Sequence, residues 1–237
     1  MTTLQMPYRP ADCLTCQFRS QRMFCNLPPQ ALADFNTLGA LALLPTGAVL
    51  LHEGDPADRV VVICNGHAML SCGSSGGRRL NVKVSLPGDL IGLGACMSGS
   101  RSEVTAVTLE PALVKIVSRA QFLPFLERQG SACLHAAVAL AEENKSAFQA
   151  ARRIALSGSI AGRVANLLLD WGRSASRGKA TLAFEMKFTH DDLAGFVGSS
   201  RETITRTLGS FQDKDLISIR GASVQVLSEV RLARIAG

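Results

Sequence analysis

The chain has 237 residues, 47% of them hydrophobic, with a net charge of +6 and seven cysteines. It can bury a good core and is long enough for two modest domains. No apolar run reaches 18 residues, so no membrane-spanning segment is predicted. The polar start, with Pro7 and Pro10, lacks the basic-then-apolar order of a signal peptide, so a cytoplasmic protein is expected. In a reducing compartment, cysteines at 13, 16, 25, 64, 72, 96 and 133 favour metal ligands or reactive thiols over a disulfide framework. Eleven Lys/Arg against eight Asp/Glu from Ala155 onward carry about half of the net charge, which permits a nucleic-acid surface without locating it.

Residues 1–27 read as an irregular leader that carries Cys13, Cys16 and Cys25. Residues 28–118 open with a short helix from Pro28 to Leu38, proline in its first turn. From about Ala42 to Val117 short apolar runs follow, such as Arg59-Val-Val-Val-Ile-Cys64 and Leu80-Asn-Val-Lys-Val84. Glu53-Gly-Asp-Pro56, Asn65-Gly66, Gly73-Ser-Ser-Gly-Gly77 and Pro87-Gly-Asp89 punctuate them. Strands at this spacing predict an antiparallel barrel or roll.

Residues 119–154 turn helical, with Leu134, Val138, Ala141, Lys145 and Phe148 at steps of three or four. That stripe either packs on its own barrel or pairs with a second copy. A symmetric dimer is favoured, because it buries a helix lying between two domains. Residues 155–237 hold an apolar helix around Val164–Trp171, a Gly/Ser/Lys loop at 172–179 and a terminal DNA-binding segment. The predicted fold is therefore α+β: an antiparallel β-roll, a long helix and a winged helix-turn-helix.

In the terminal segment Thr189 is an N-cap with Asp191 and Asp192 in the first turn. Leu193, Phe196 and Val197 form the buried face, Gly198 makes the turn, and Ser199 or Ser200 caps a second helix. On that helix Ile204 and Leu208 face inward, leaving Arg201, Glu202, Thr205 and Arg206 for the major groove. Arginine grips the guanine O6/N7 edge and glutamate accepts from the cytosine amine. The runs 216–219 and 223–227, separated by Arg220-Gly221, predict a β-hairpin wing. A solvated helix with ordinary surface charges is the plainer alternative, and turn, caps and wing together speak against it.

In the leader, Cys13-x2-Cys16 puts two thiolates within reach of one metal centre, and Cys25 can close round it. Arg19 and Arg22 would favour the thiolate form. Incidental cysteines, a zinc site or a thiol/disulfide switch remain alternatives. Cys64 and Cys72 read as buried strand residues. His52, His67, His135 and His190 are scattered without ligand spacing, although His67 or His135 could serve a haem, and His190 reads more simply as a helix-entry residue.

The order of barrel, long helix and winged helix-turn-helix resembles the CRP/FNR family of bacterial transcription regulators over nearly the whole chain. Ser200-Arg-Glu-Thr-Ile-Thr-Arg206 is similar to its recognition helix, and Pro87-Gly-Asp-Leu-Ile-Gly92 to its barrel signature. The resemblance implies a cyclic-nucleotide-binding-like roll, a homodimer, a palindromic double-stranded DNA target and RNA polymerase as a partner. It also implies that Glu202 and Arg206 read a G·C pair in each half-site, and that the chain is not an enzyme. Cyclic-nucleotide members carry a Gly-Glu pair where this chain has Gly92-Leu93, and Arg101-Ser102 matches their Arg-Ser pair one residue out of step, which argues against cyclic AMP.

The leader resembles that of FNR proteins, implying an oxygen-labile [4Fe-4S] cluster that responds to oxygen, nitric oxide or redox state. Where that family places its fourth cysteine, on the last barrel strand, this chain carries Val114. Cys96 is therefore the expected fourth ligand, with Cys133 in reserve. The charged residue that keeps cluster-free relatives monomeric falls near Phe148, so a dimer is expected even without a cluster. An iron–sulfur electron-transfer protein is a remote alternative and leaves the winged helix unexplained. A ligand-free regulator with a vestigial leader is another.

Overall fold

β-branched runs between glycine turns pair into sheets in the computed structural model, which describes residues 12–77, 79–176, 181–186 and 188–237. After a 3-10 turn at Arg19–Gln21 comes α1 (Pro29–Thr37), with proline at its start as expected. The strands then run β1 (Ala40–Leu44), β2 (Val49–Leu51), β3 (Arg59–Asn65), β4 (Ala68–Gly73), β5 (Arg79–Ser85) and β6 (Leu90–Ile91). A short helix α2 (Leu93–Ser98) precedes β7 (Thr105–Thr108) and β8 (Ala112–Ser118). One sheet has the order β1-β8-β3-β6 and the other β2-β7-β4-β5.

Alternation along the strands divides the apolar residues between two cores. Val61 and Ile63 of β3, with Val114 of β8, join Leu50, Leu70 and Ala106 in a core drawn from both sheets. Val60 and Val62 face the other way and meet Phe24, Leu32 and Phe35 in a second core. Phe122 and Phe125 of α3 (Arg119–Arg128) join that second core, as do Ala132 and Ala136 of α4 (Gly130–Leu156). Residues 119–154, expected as one helix, are thus two, parted at Gln129, and Pro124 lies inside the first. The described residues group into two compact units: residues up to 146 without 74–81, and residues from 147 onward together with 74–81.

The inward face of α4 is Ala132, Ala136, Ala139 and Leu140. The stripe Leu134, Val138, Ala141 and Phe148 lies on its exposed side, Leu134 63% and Phe148 64% accessible. The helix does pack on its own barrel, but through Ala132, Ala136, Ala139 and Leu140, and the stripe itself is left exposed.

The second unit is built on α5 (Ile160–Ser176), whose Trp171 meets Phe184, Phe188 and Phe196 with ring centroids 5.2–6.1 Å apart. β9 (Ala183–Glu185) joins the sheet formed by β10 (Ile217–Arg220) and β11 (Ser223–Val226), between which Gly221 turns with φ 59°. α6 (His190–Val197), α7 (Arg201–Asp213) and α8 (Glu229–Ala236) complete it. Among the described residues no helix is long and apolar enough to cross a membrane.

Candidate functional site

The helix-turn-helix follows from local chemistry. Thr189 Oγ1 accepts from the Asp192 backbone N–H at 3.1 Å, and Asp192 Oδ2 accepts from Thr189 N–H at 2.9 Å, a capping box that starts α6. Gly198 ends it in the left-handed region at φ 62°, where a Cβ would be strained. Ser200 Oγ then accepts from Thr203 N–H at 3.3 Å and starts α7. Ile204, Leu208 and Phe211 are buried, and Arg201, Glu202, Thr205 and Arg206 are exposed together on the other side. The bond of Glu202 to its own backbone N–H, the Ser200 hydroxyl and the neighbouring Arg201 and Arg206 hold its carboxyl below the ordinary range.

One member of that exposed set is already engaged. Thr205 Oγ1 donates to Arg201 O at 3.0 Å and lies 2.7 Å from His190 Nδ1. His190, read from the sequence as a helix-entry residue, is the first residue of α6 and also bonds that helix to α7. The pairing of residues fifteen apart has no local signal.

The cysteine site is assembled differently. Phe24 is 1% exposed and packs edge-on against Phe35, ring centroids 5.3 Å apart, and Leu27 is buried beside it. These two residues fasten a segment that reads as an irregular leader. The Cys13 backbone N–H donates to Asn36 Oδ1 at 2.7 Å, and Asp12 Oδ1 accepts from Thr15 N–H at 2.8 Å. Gly88, at φ 99°, lets the Arg22 side chain lie where a Cβ would sit, 2.6 Å from Arg22 Cβ. The Gly88 N–H donates to Ile63 O at 2.7 Å, which sets this turn beside Cys64.

Cys13, Cys16, Cys25 and Cys64 line one pocket with Asp12, Arg19, Arg22, Leu32, Phe35 and Leu41. Cys64 shares the face of Val60 and Val62, opposite Val61 and Ile63, at a bulge where β3 shifts register against β8. Cys96, the expected fourth ligand, does not line this pocket. It is fully buried in α2, its carbonyl accepting from Arg119 Nε at 2.7 Å. Cys133 is exposed on α4. The register also corrects the expectation for β8: Val114 points into the other core, so the β8 residue on the pocket side is Lys115.

Burial pushes the Cys25 thiol up to about 12, with Cys64 adding to the effect and Arg22 opposing it. Burial likewise pushes Cys64 up to about 12, and Cys13 rises for the same reason against the pull of Lys115. Arg22 Nη1 lies 4.0 Å from Cys16 Sγ. Arg22 acts in the expected direction at Cys25 and Cys64, but burial outweighs it, so these thiols carry protons at neutral pH unless a metal replaces the proton. Among the described residues no three His, Cys, Asp or Glu side chains are gathered closely enough to hold a single metal ion.

A β-roll joined in one chain to a capped helix-turn-helix with a β-wing is the arrangement of a DNA-binding regulator. The cyclic nucleotide-binding domain family matches residues 42–129, and the Crp-like helix-turn-helix domain family matches residues 162–235. The chain is 23% identical over 213 residues to the CRP-like cAMP-activated global transcriptional regulator of Mycobacterium tuberculosis, covering 90% of this chain and 95% of that protein. It is 28% identical over 209 residues to the probable transcriptional regulator flp of Lacticaseibacillus casei, covering 87% and 91%. The structure of FixK2 from Bradyrhizobium japonicum superposes with a TM-score of 0.71 at 20% identity, covering 84% of this chain and 98% of that one, and shows the same fold. The chain belongs to the CRP/FNR family and is a DNA-binding transcription regulator of that family.

Proposed function

We propose that this regulator senses oxygen, nitric oxide or redox state through an iron–sulfur cluster of the [4Fe-4S] type held by Cys13, Cys16, Cys25 and Cys64. The observation that carries the reading is the convergence of four cysteines, three from the leader and one from β3, on one pocket. A [4Fe-4S] cluster takes one thiolate at each of four separate irons. Four thiols round one pocket match that demand in number. When bound, the cluster supplies iron–sulfide bonds that oxygen and nitric oxide attack.

The chain's own residues connect that site to α4. Phe24 and Leu27 of the leader share one core with Ala132 and Ala136, and Cys13 and Cys25 pack against it. Interiors this dense transmit displacement, so a reseated leader shifts the helix. The exposed stripe Leu134, Val138, Ala141 and Phe148 is assigned to a two-fold pairing with a second copy. Phe148 offers no charge to oppose that pairing, so the homodimer persists without the cluster. Its two α7 helices read a palindromic duplex: Glu202 and Arg206 at a G·C pair, Arg201 beside it, with Thr189, Ser199 and Ser200 toward phosphates. RNA polymerase is the expected further partner.

Cyclic AMP suits this roll poorly. Leu93 is a buried core residue at the place of the ribose acceptor, Arg101 donates to Gly54 O at 2.6 Å and Ser102 to Val104 O at 2.8 Å. The test is anaerobic purification with a visible spectrum and iron and sulfide analysis, expected to give a sulfide-containing cluster that oxygen bleaches. Zinc without sulfide, or a colourless protein whose DNA binding ignores oxygen, would replace the reading with a zinc or thiol switch or a ligand-free regulator. Sedimentation of the metal-free protein as a clean monomer would oppose the constitutive dimer.

A further inference from the structure

We infer that Lys115 is the internal counter-ion of the cysteine site, a fixed positive charge that secures the anionic metal–thiolate group and tunes its potential. The inference rests on the reading of the pocket as a metal centre. Val114 faces the other core, so Lys115 points to the opposite face of β8, where its cross-strand partner Leu41 lines the pocket. Lys115 is 3% exposed. Its Nζ donates to Asn36 O at 3.1 Å and lies 5.4 Å from the centroid of Phe35, another lining residue. Among the described residues it has no carboxylate partner.

A buried ammonium offered only a carbonyl and a ring face is poorly compensated, and such charges persist where an opposite charge answers them. The groups of the adjoining pocket that can answer it are Asp12 and, once a metal replaces their protons, the cysteine sulfurs. Asn36 joins the two: its carbonyl holds the ammonium, and its Oδ1 holds the Cys13 backbone. Four thiolates around a metal carry net negative charge, which Lys115 and Arg22 would offset. A nearby cation also favours the more negative, reduced form of such a group, so its removal lowers the potential.

The test uses the full-length protein, reduced and anaerobic, titrated with Co2+ and followed by the thiolate-to-cobalt absorption. Lys115→Gln can keep a donor for Asn36 O but loses the charge, and is expected to weaken Co2+ binding by about 10–100-fold. After reconstitution with iron and sulfide, the same variant should show a lower midpoint potential. Lys115→Arg should stay near wild type in both. Should Lys115→Gln not fold, Asn36→Asp sets a carboxylate beside the ammonium while keeping the Cys13 acceptor, and should weaken binding in the same direction. Wild-type affinity and potential in the neutral variant would overturn the counter-ion while leaving the metal centre intact. A wild-type protein that takes up neither Co2+ nor iron would overturn the metal centre itself.

Discussion

The recognition helix and the cysteine pocket are both small constellations of polar groups, yet they depend on the chain in opposite ways. α7 takes its caps, turn and exposed face from residues 189–208, each placed by a neighbour three or four positions away. The pocket draws on the leader, α1, β1 and β3, and its geometry exists only once the roll has formed. A local site can be altered without disturbing the fold around it. An assembled site is continuous with its core, which is how an event at its sulfurs can reach α4. Experiments that separate chemistry from folding therefore test this contrast.

The largest effect is expected from the thiols. Cys13→Ser, Cys16→Ser, Cys25→Ser and Cys64→Ser should each abolish the cluster absorbance and sulfide content, while Cys96→Ala and Cys133→Ala keep both. A Cys64→Ser protein with full iron and sulfide would move the fourth ligand away from β3. Phe24→Ala comes next, because it opens a hole in a core shared by leader, α1 and α3. It should cost about 3–5 kcal/mol in denaturant unfolding of the first unit, and lower metal uptake with every cysteine present. Normal uptake in that variant would show that the leader folds round the metal by itself, as α7 does round its caps.

Alkali should expose the assembled site in a further way. Cys25 and Cys64 are held at about 12 in the folded chain against 9.0 for a free thiol. Above pH 9 the unfolded chain releases these protons first, so it binds fewer than the native one and the slope of stability with pH is negative. The metal-free protein should lose stability between these two values, the contribution being intact below the lower one. Metal binding displaces the same protons, so affinity for metal should rise with pH. Urea midpoints of metal-free protein at successive pH values check the sign, and a rising midpoint would mean that these thiols are not buried.

The contrast also explains what could be read from the sequence. The helix-turn-helix was legible because Thr189, Gly198 and Ser200 announce its boundaries locally, and the roll because glycine turns space its strands. Cys13, Cys16 and Cys25 stood out by spacing. Cys64 did not, because the face of a strand residue depends on register and a one-residue shift reverses it. The same shift separates Val114 from Lys115: counting along β8 selects one, while pairing with Leu41 places the other on the pocket side. Phe24 and Leu27 lack any period that would mark a leader as part of the core.

The smallest expected effect is on the local site and is the most specific. Arg206→Ala should cost about 1–3 kcal/mol in operator binding and relax preference at one G·C pair per half-site, measured against a randomised operator library at fixed salt. His190→Ala removes the contact to Thr205 across the two helices, worth about 0.5–1.5 kcal/mol. Because α7 keeps its own cap and buried face, that variant should lose a little affinity for every sequence alike and no base preference. Were His190→Ala to shift the preferred bases instead, the orientation of α7 would depend on α6 through that hydrogen bond. The recognition helix would then be an assembled site too, tied to its surroundings as the cysteines are.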